Sequence, residues 1–278
     1  MAANAPTPPS AFHTAHQDRI ELLYHWQWFD FERLRSLLRD RTIYCSDPAE
    51  FNDPWDCKPH FNTTLLDDPV EHERHVQWSV DICQRHNHGM SAADIARMEA
   101  QLRADRGVLA EYVNKISEGM WLAIASRYRV YCLGTDPGNI LMWSHYADNH
   151  RGICLEFRTR DVVMCSALRV EYHKDFPIMH LYSADELDNL RPLLAKADVW
   201  AYEREYRLIA QERSAATAHE TLLTDDHLLS LPESALVSVI VGCQGPYDAV
   251  KSIVAEVAPN VLVKRAVRVP NHFEVRVG

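Results

Sequence analysis

A change of hydrophobic period constrains this chain more than any other feature. Strand-like runs open and close it, and a long stretch of helical period separates them. Residues 21–28 and 42–46 form short apolar and aromatic runs. Between them, Asp30 stands as an N-cap before Phe31, Leu34, Leu37 and Leu38 at helical spacing. From about Asp67 to Gly119 the period changes: Ser91 and Asp94 form a capping pattern, and Ile95, Met98, Leu102, Leu109, Tyr112, Val113 and Ile116 recur on one helical face. Strand-like runs return at residues 129–133, 152–157, 168–172 and 206–211, and Ser183 with Glu186 marks a helix start toward Trp200. The last segment predicts a strand at 236–241, a helix at 247–257 and a strand at 261–269. This order predicts an α+β fold, with a disordered tail over 1–18, one domain over 19–278 and a helical insertion at 67–120.

The 278 residues are 47% hydrophobic, ample for a packed core, and carry a formal net charge of −10. That charge excludes a globally basic nucleic-acid binder and requires any nucleic acid to meet a local patch. The seven cysteines are scattered with no CxxC pair, which argues against a zinc ribbon and for a reducing cytosol. Residues 1–18 lack a basic start and a long apolar stretch, so no secretion signal is expected. No run approaches the roughly 18 apolar residues of a membrane helix, so a soluble, cytoplasmic protein is expected.

Four segments can carry chemistry. In the run from Trp200 to Ile209, a strand would put Glu203, Glu205 and Arg207 on one face and Trp200, Tyr202, Tyr206 and Leu208 on the other. Two carboxylates on one surface can stabilise an oxocarbenium ion; alternatively, this is a solvated face on which Arg204 and Arg207 neutralise the glutamates. The run from Asn139 to Gly152 gathers Trp143, Ser144, His145, Tyr146, Asp148 and His150, a mixture suited to binding a heterocycle or to packing a helix start on the core. A metal reading would use His145, Asp148 and His150, although imidazoles five residues apart do not share a helical face as in HExxH. In residues 44–56, Tyr44, Ser46 and Asn52 either face a ligand or build a loop rich in side-chain-to-backbone turns. His25, on an early apolar strand, is a buried hydrogen-bonded residue or a ligand contact. No GxSxG elbow, Walker loop or local cysteine-nucleophile signature occurs.

Five runs in order, LLYHW, IYCSDPAEFNDPWD, YCLGTDPGNILMWSHYADNHRGICLEF, WAYEREYRLI and LVSVIVG, resemble a bacterial family known as domain of unknown function 2971. More distantly, the order of an aromatic strand with His25, a helix, a hydroxyl-bearing strand and a late strand with glutamate resembles the DNA-modifying branch of ADP-ribosyltransferase toxins. That resemblance implies a split β-sandwich of two small, mostly antiparallel sheets and NAD as substrate, with no metal. It makes Glu205 the carboxylate that holds the nicotinamide ribose and Glu203 the first member of an ExE pair. His25 would contact the adenosine ribose or pyrophosphate, and Tyr146 or Trp143 would stack on nicotinamide. Tyr44, Ser46, Asn52, Ser144 and His145 complete the expected binding set. The middle run departs from the pattern, having no STS triplet.

The implied activity is transfer of ADP-ribose to a macromolecular acceptor or water in a toxin or antiviral setting, with room for a neutralising partner. A nucleic-acid acceptor would need a basic strip, expected from Arg127, Arg129, Arg151, Arg158 and Arg160. Two other readings stand beside it: a non-catalytic module that binds a nucleotide or a partner protein, and a metal-dependent nuclease.

Overall fold

In the computed structural model the described residues are 12–86, 89–177, 179, 182, 190–216 and 222–278. The first half of the chain forms β1 (Leu22–Gln27), α1 (Phe31–Asp40), β2 (Thr42–Tyr44), α2 (Pro69–His86), α3 (Ala92–Ala104), α4 (Arg106–Arg127) and β3 (Tyr128–Leu133). There follow α5 (Ile140–Tyr146), β4 (Ile153–Arg158), β5 (Leu168–Arg169), β6 (Glu171–His173), α6 (Arg191–Leu194), β7 (Ala195–Ala197) and β8 (Tyr206–Glu212). The chain closes with β9 (Leu223–Thr224), β10 (Leu228–Ser230), β11 (Leu236–Val241), α7 (Tyr247–Val257), β12 (Leu262–Arg268) and β13 (Val275–Val277). The architecture is mixed α+β with several sheets. The chain divides into two compact units, residues 1–51, 127–172 and 198–278 in one and 52–126 with 173–197 in the other.

The first unit holds a five-stranded sheet in the order β1-β4-β11-β12-β13. Its pairings are antiparallel except for β11 with β12, which α7 joins in a parallel crossover as the closing segment predicts. A second sheet runs β3-β8-β5 antiparallel, with β9 parallel to β8, and β2 pairs with β10. One core cluster joins Leu23, Ile153, Leu155, Phe157, Val239 and Val241 of the first sheet to Tyr131, Leu133, Tyr206 and Leu208 of the second, with Leu34, Leu37 and Leu38 of α1 and Val250, Ile253 and Val254 of α7. The period of two then sends Tyr24 and Trp26 to the opposite face, into a second cluster with Met142 and Trp143 of α5. The expected N-cap forms: the Arg33 amide donates to Asp30 Oδ1 at 2.7 Å.

In the second unit, α3 and α4 present the expected stripe, with Leu102, Leu109 and Val113 packed on Phe61, Leu66 and Val76. Ser91 and Asp94 close a full capping box. The stripe is two helices rather than one, because the Asp105 carboxylate accepts from the Gly107 and Val108 amides and starts α4 afresh.

The disordered tail is too long as drawn: Ala15 is buried, its amide donates to the Ala167 carbonyl at 2.8 Å, and Asp18 accepts from the Tyr206 hydroxyl at 2.8 Å. The strand around Glu203 and Glu205 does not form, since 198–203 is a 3-10 turn and Arg204 has φ 46°. Ser183 and Glu186 lie outside the described residues. Among the described residues, no helix is long and apolar enough to cross a membrane.

Candidate functional site

Asn139 builds the start of α5 and ties it to the turn that carries the glutamates. Its side-chain oxygen accepts from the Leu141 and Met142 amides at 3.0 and 3.4 Å, while its amide group donates to the Tyr202 carbonyl at 2.8 Å. On α5, Trp143 points into the core, fully buried, with Nε1 donating to the Pro137 carbonyl at 2.7 Å and its ring edge-on to Trp26 at 6.5 Å. Its other neighbour is the His150 ring, stacked at 6.5 Å. Trp143 is therefore part of the core, and the expectation that it stacks on a ligand is corrected. Tyr146, half-buried, takes the outward role: its hydroxyl donates to Glu203 Oε1 at 2.7 Å.

Around this hydrogen bond lies a cluster of rings. The exposed His145 is 6.2 Å from Tyr146, 6.4 Å from Trp200 and 6.5 Å from Tyr202, and Trp200 is 6.1 Å from Tyr202. Ser144 is half-buried on the same turn. The Gly134 backbone passes close to both Trp26 and Glu203. A Cβ on Gly134 would meet the Trp26 ring at 2.9 Å and the Glu203 carbonyl oxygen at 3.1 Å, so glycine is required at that approach. Trp26, 5% exposed, has an indole Nε1 that finds no acceptor among the described residues, a costly state for a buried donor.

Glu203 and Glu205 are both 3% exposed, which overturns the expectation of two carboxylates on an open strand face and equally that of a solvated one. The left-handed Arg204 between them breaks the period of two. Arg204 itself is exposed and Arg207 is fully buried. Arg207 grips Glu205 in a fork, Nε to Oε1 at 2.7 Å and Nη2 to Oε2 at 3.1 Å, and lies over the Phe51 ring at 5.3 Å. The Glu205 amide donates to the Tyr172 hydroxyl at 2.9 Å.

His25 lies on the other face of β1 from Trp26. Its Nδ1 donates to the Cys132 carbonyl at 2.8 Å, leaving Nε2 as a bare acceptor, and its ring stacks on Tyr131 at 4.1 Å. Burial depresses the imidazole to about 4, against the Cys132 hydrogen bond and aided by the charge of Arg33, so it is neutral at pH 7. Tyr44, exposed on β2, stacks on His227 at 5.0 Å and an interplanar angle of 7°. Ser46 pairs through its backbone with Val130, and Asn52 is exposed at the start of the second unit.

The expected residues thus separate. Ser144, His145, Tyr146 and Glu203 converge, Tyr44 lies under the Arg33 guanidinium whose charge also acts on His25, and Asn52 belongs to the other unit. Trp26 and Arg33 were not legible as site residues, since one reads as a core aromatic on a strand and the other as a helix surface charge.

His145 joins Trp200 and Tyr202 while His150 stacks on Trp143, and among the described residues no group of three or more His, Cys, Asp or Glu side chains could hold a metal. Of the arginines expected to form a basic strip, Arg151 precedes β4 and Arg158 ends it, roughly 20 Å apart at strand rise, and Arg127 and Arg129 are engaged with Gln211 and Glu212.

No curated protein and no solved structure matches the chain. The family described as protein of unknown function DUF2971 matches residues 142–208, so the chain is similar to that family over the segment that holds Tyr146, Glu203, Glu205 and Arg207.

Proposed function

We propose that this protein cleaves NAD at the nicotinamide–ribose bond and passes the ADP-ribose to water or a macromolecular acceptor, with Glu203 and Tyr146 at the reacting centre. The observation that carries this reading is the 2.7 Å hydrogen bond between the Tyr146 hydroxyl and Glu203 Oε1, set among the rings of His145, Trp200 and Tyr202. In such a reaction the carbon–nitrogen bond breaks, its electron pair leaves on neutral nicotinamide, and the ribose carbon carries the positive charge as an oxocarbenium ion. A carboxylate held in a dry setting stabilises that charge, and an acceptor hydroxyl then attacks the same carbon and gives its proton to a base or to water. The rings offer flat faces for the leaving pyridine.

Glu205 takes a positioning role in this scheme. Its charge is matched by Arg207, and the fork between them fixes the chain on the C-terminal side of Glu203. This departs from the role that the resemblance to ADP-ribosyltransferases implies for Glu205.

The test is nicotinamide release by the wild type, Glu203→Gln and Tyr146→Phe. Removal of a group that stabilises transition-state charge lowers turnover by about 100-fold or more for Glu203→Gln, and by roughly 10-fold for Tyr146→Phe. Undiminished turnover in Glu203→Gln overturns the assignment. A second reading, recognition without catalysis, is favoured by the burial of both carboxylates; it gains if NAD raises the Tm of the wild type and Glu203→Gln alike while no nicotinamide appears.

A further inference from the structure

Three arginines of α1 differ in what they hold. Arg35 forms a fork on Glu256 at 2.5 and 2.9 Å, and Arg39 one on Asp40 at 2.8 and 3.0 Å. Arg33 has neither an ion pair nor a side-chain hydrogen bond among the described residues. Its guanidinium carbon instead lies 5.7 Å from the Trp28 ring and 5.7 Å from the Tyr44 ring, and Tyr44 continues the stack onto His227. The half-buried cation is thus held by π faces, with its in-plane N–H donors unmatched.

The surroundings are those of a binding site rather than of a solvated surface charge. Trp28 is 52% exposed and Tyr44 38%, so each has ring surface open to solvent. The charge of Arg33 reaches two polar groups. One is His25, whose Nε2 is a bare acceptor; the other is Tyr131, 2% exposed, whose buried hydroxyl has no partner among the described residues. Buried hydroxyls are almost always paired, so the Tyr131 hydroxyl is hydrogen-bonding capacity within reach of the Arg33 charge that the described residues leave unused. The Nδ1 of His227 donates to the Cys45 carbonyl at 3.2 Å, which fixes that ring parallel to Tyr44.

We propose that Trp28, Arg33, Tyr44 and His227 form a binding site for a nucleoside phosphate, with the phosphate on the Arg33 fork and the base on the open ring faces. A guanidinium matches phosphate geometry through paired donors, and exposed aromatic faces select a flat heterocycle over a bare anion. All four residues belong to the first unit. The site stands whether or not the chain cleaves NAD.

Titration calorimetry of the full chain with AMP, adenosine and inorganic phosphate tests it. AMP binds the wild type, adenosine and phosphate each bind at least about 10-fold more weakly, and Arg33→Gln weakens AMP by about 10-fold or more, the loss of one charge-assisted contact. Tyr44→Leu, an exposed change on β2, weakens AMP and adenosine but leaves phosphate unaffected. Equal AMP affinity in the wild type and Arg33→Gln, or no AMP binding at all, overturns the proposal. Phosphate binding as tightly as AMP overturns the nucleoside assignment. Circular dichroism and Tm check that each variant is folded; if Arg33→Gln is not, Arg33→Lys, which keeps the charge and loses the fork, replaces it and is expected to weaken AMP by a smaller factor of roughly 3-fold or more, with unchanged AMP affinity overturning the proposal. Nicotinamide release by Glu203→Gln is read separately, so failure here and failure of the cleavage reading are told apart.

Discussion

His25 carries a pH dependence whose sign follows from its burial. Its folded value is about 4 against an ordinary 6.5, so between those values the unfolded chain binds a proton that the folded chain does not. Its contribution is fully present above about pH 6.5 and is lost as pH falls toward 4, by up to about 3 kcal/mol at roughly 1.4 kcal/mol per pH unit. Urea unfolding at pH 7, 5 and 4 is expected to show a steeper loss in the wild type than in His25→Gln; parallel losses would mean that His25 is charged in the native state. The buried fork between Arg207 and Glu205 sets a second residue-level expectation. Glu205→Ala removes one partner of a buried ion pair and costs roughly 3–5 kcal/mol, read as a lower urea midpoint, whereas Glu203→Gln leaves that pair intact and moves the midpoint far less. The alternation of charge around Glu203 was visible in the sequence, but its meaning was not. Burial of Glu203 and Glu205 depends on Tyr146 and Arg207, and the left-handed Arg204 that separates them has no signature in a non-glycine residue.

At the scale of elements, the turn between α5 and β4 stores strain. Asp148, Asn149 and His150 are all left-handed, with φ of 44°, 50° and 67°, a conformation that costs an L-residue roughly 1–2 kcal/mol at each position. The turn is held by the Gly152 amide on the Ala147 carbonyl at 2.8 Å and by Gln244 on the His150 carbonyl at 3.0 Å. A Cβ on Gly242 would collide with that same His150 carbonyl oxygen, so Gly242→Ala is expected to destabilise by about 2 kcal/mol or more. Gly119 is the opposite case. It lies inside α4 with nothing near its absent Cβ, and Gly119→Ala is expected to stabilise by roughly 0.5–1 kcal/mol. Thermal unfolding of the two variants checks both signs, and a neutral Gly242→Ala would contradict the account of the turn. Helices and their starts were legible at Asp30 and Ser91 because capping is local. The break at Asp105 was missed because apolar spacing runs on through it.

Over the whole molecule, the net charge of −10 and the separation of Arg151 from Arg158 along β4 argue against a general nucleic-acid surface. At 150 mM salt, duplex DNA is expected to bind no tighter than about 0.1 mM, the weak end of non-specific binding; tight binding that weakens steeply with salt would contradict this. The α+β class and the helical stretch were legible from the change of hydrophobic period. The division into two units was not, because residues 52–66 and 173–197 join the helices through contacts distant in sequence. The same holds for the partition of the expected ligand residues: which face of β1 meets α5 and which meets Tyr131 is set by pairing with β4 and by the bridge from Tyr24 to Gly134, not by the run LLYHW alone.

Cleavage of NAD at the Tyr146–Glu203 pair is read by incubating the purified full chain with NAD, alone and with cell extract, and quantifying free nicotinamide. Release by the wild type and its loss in Glu203→Gln at little-changed Tm are expected; no release from the wild type under either condition, or equal release from both proteins, rules out cleavage at this pair.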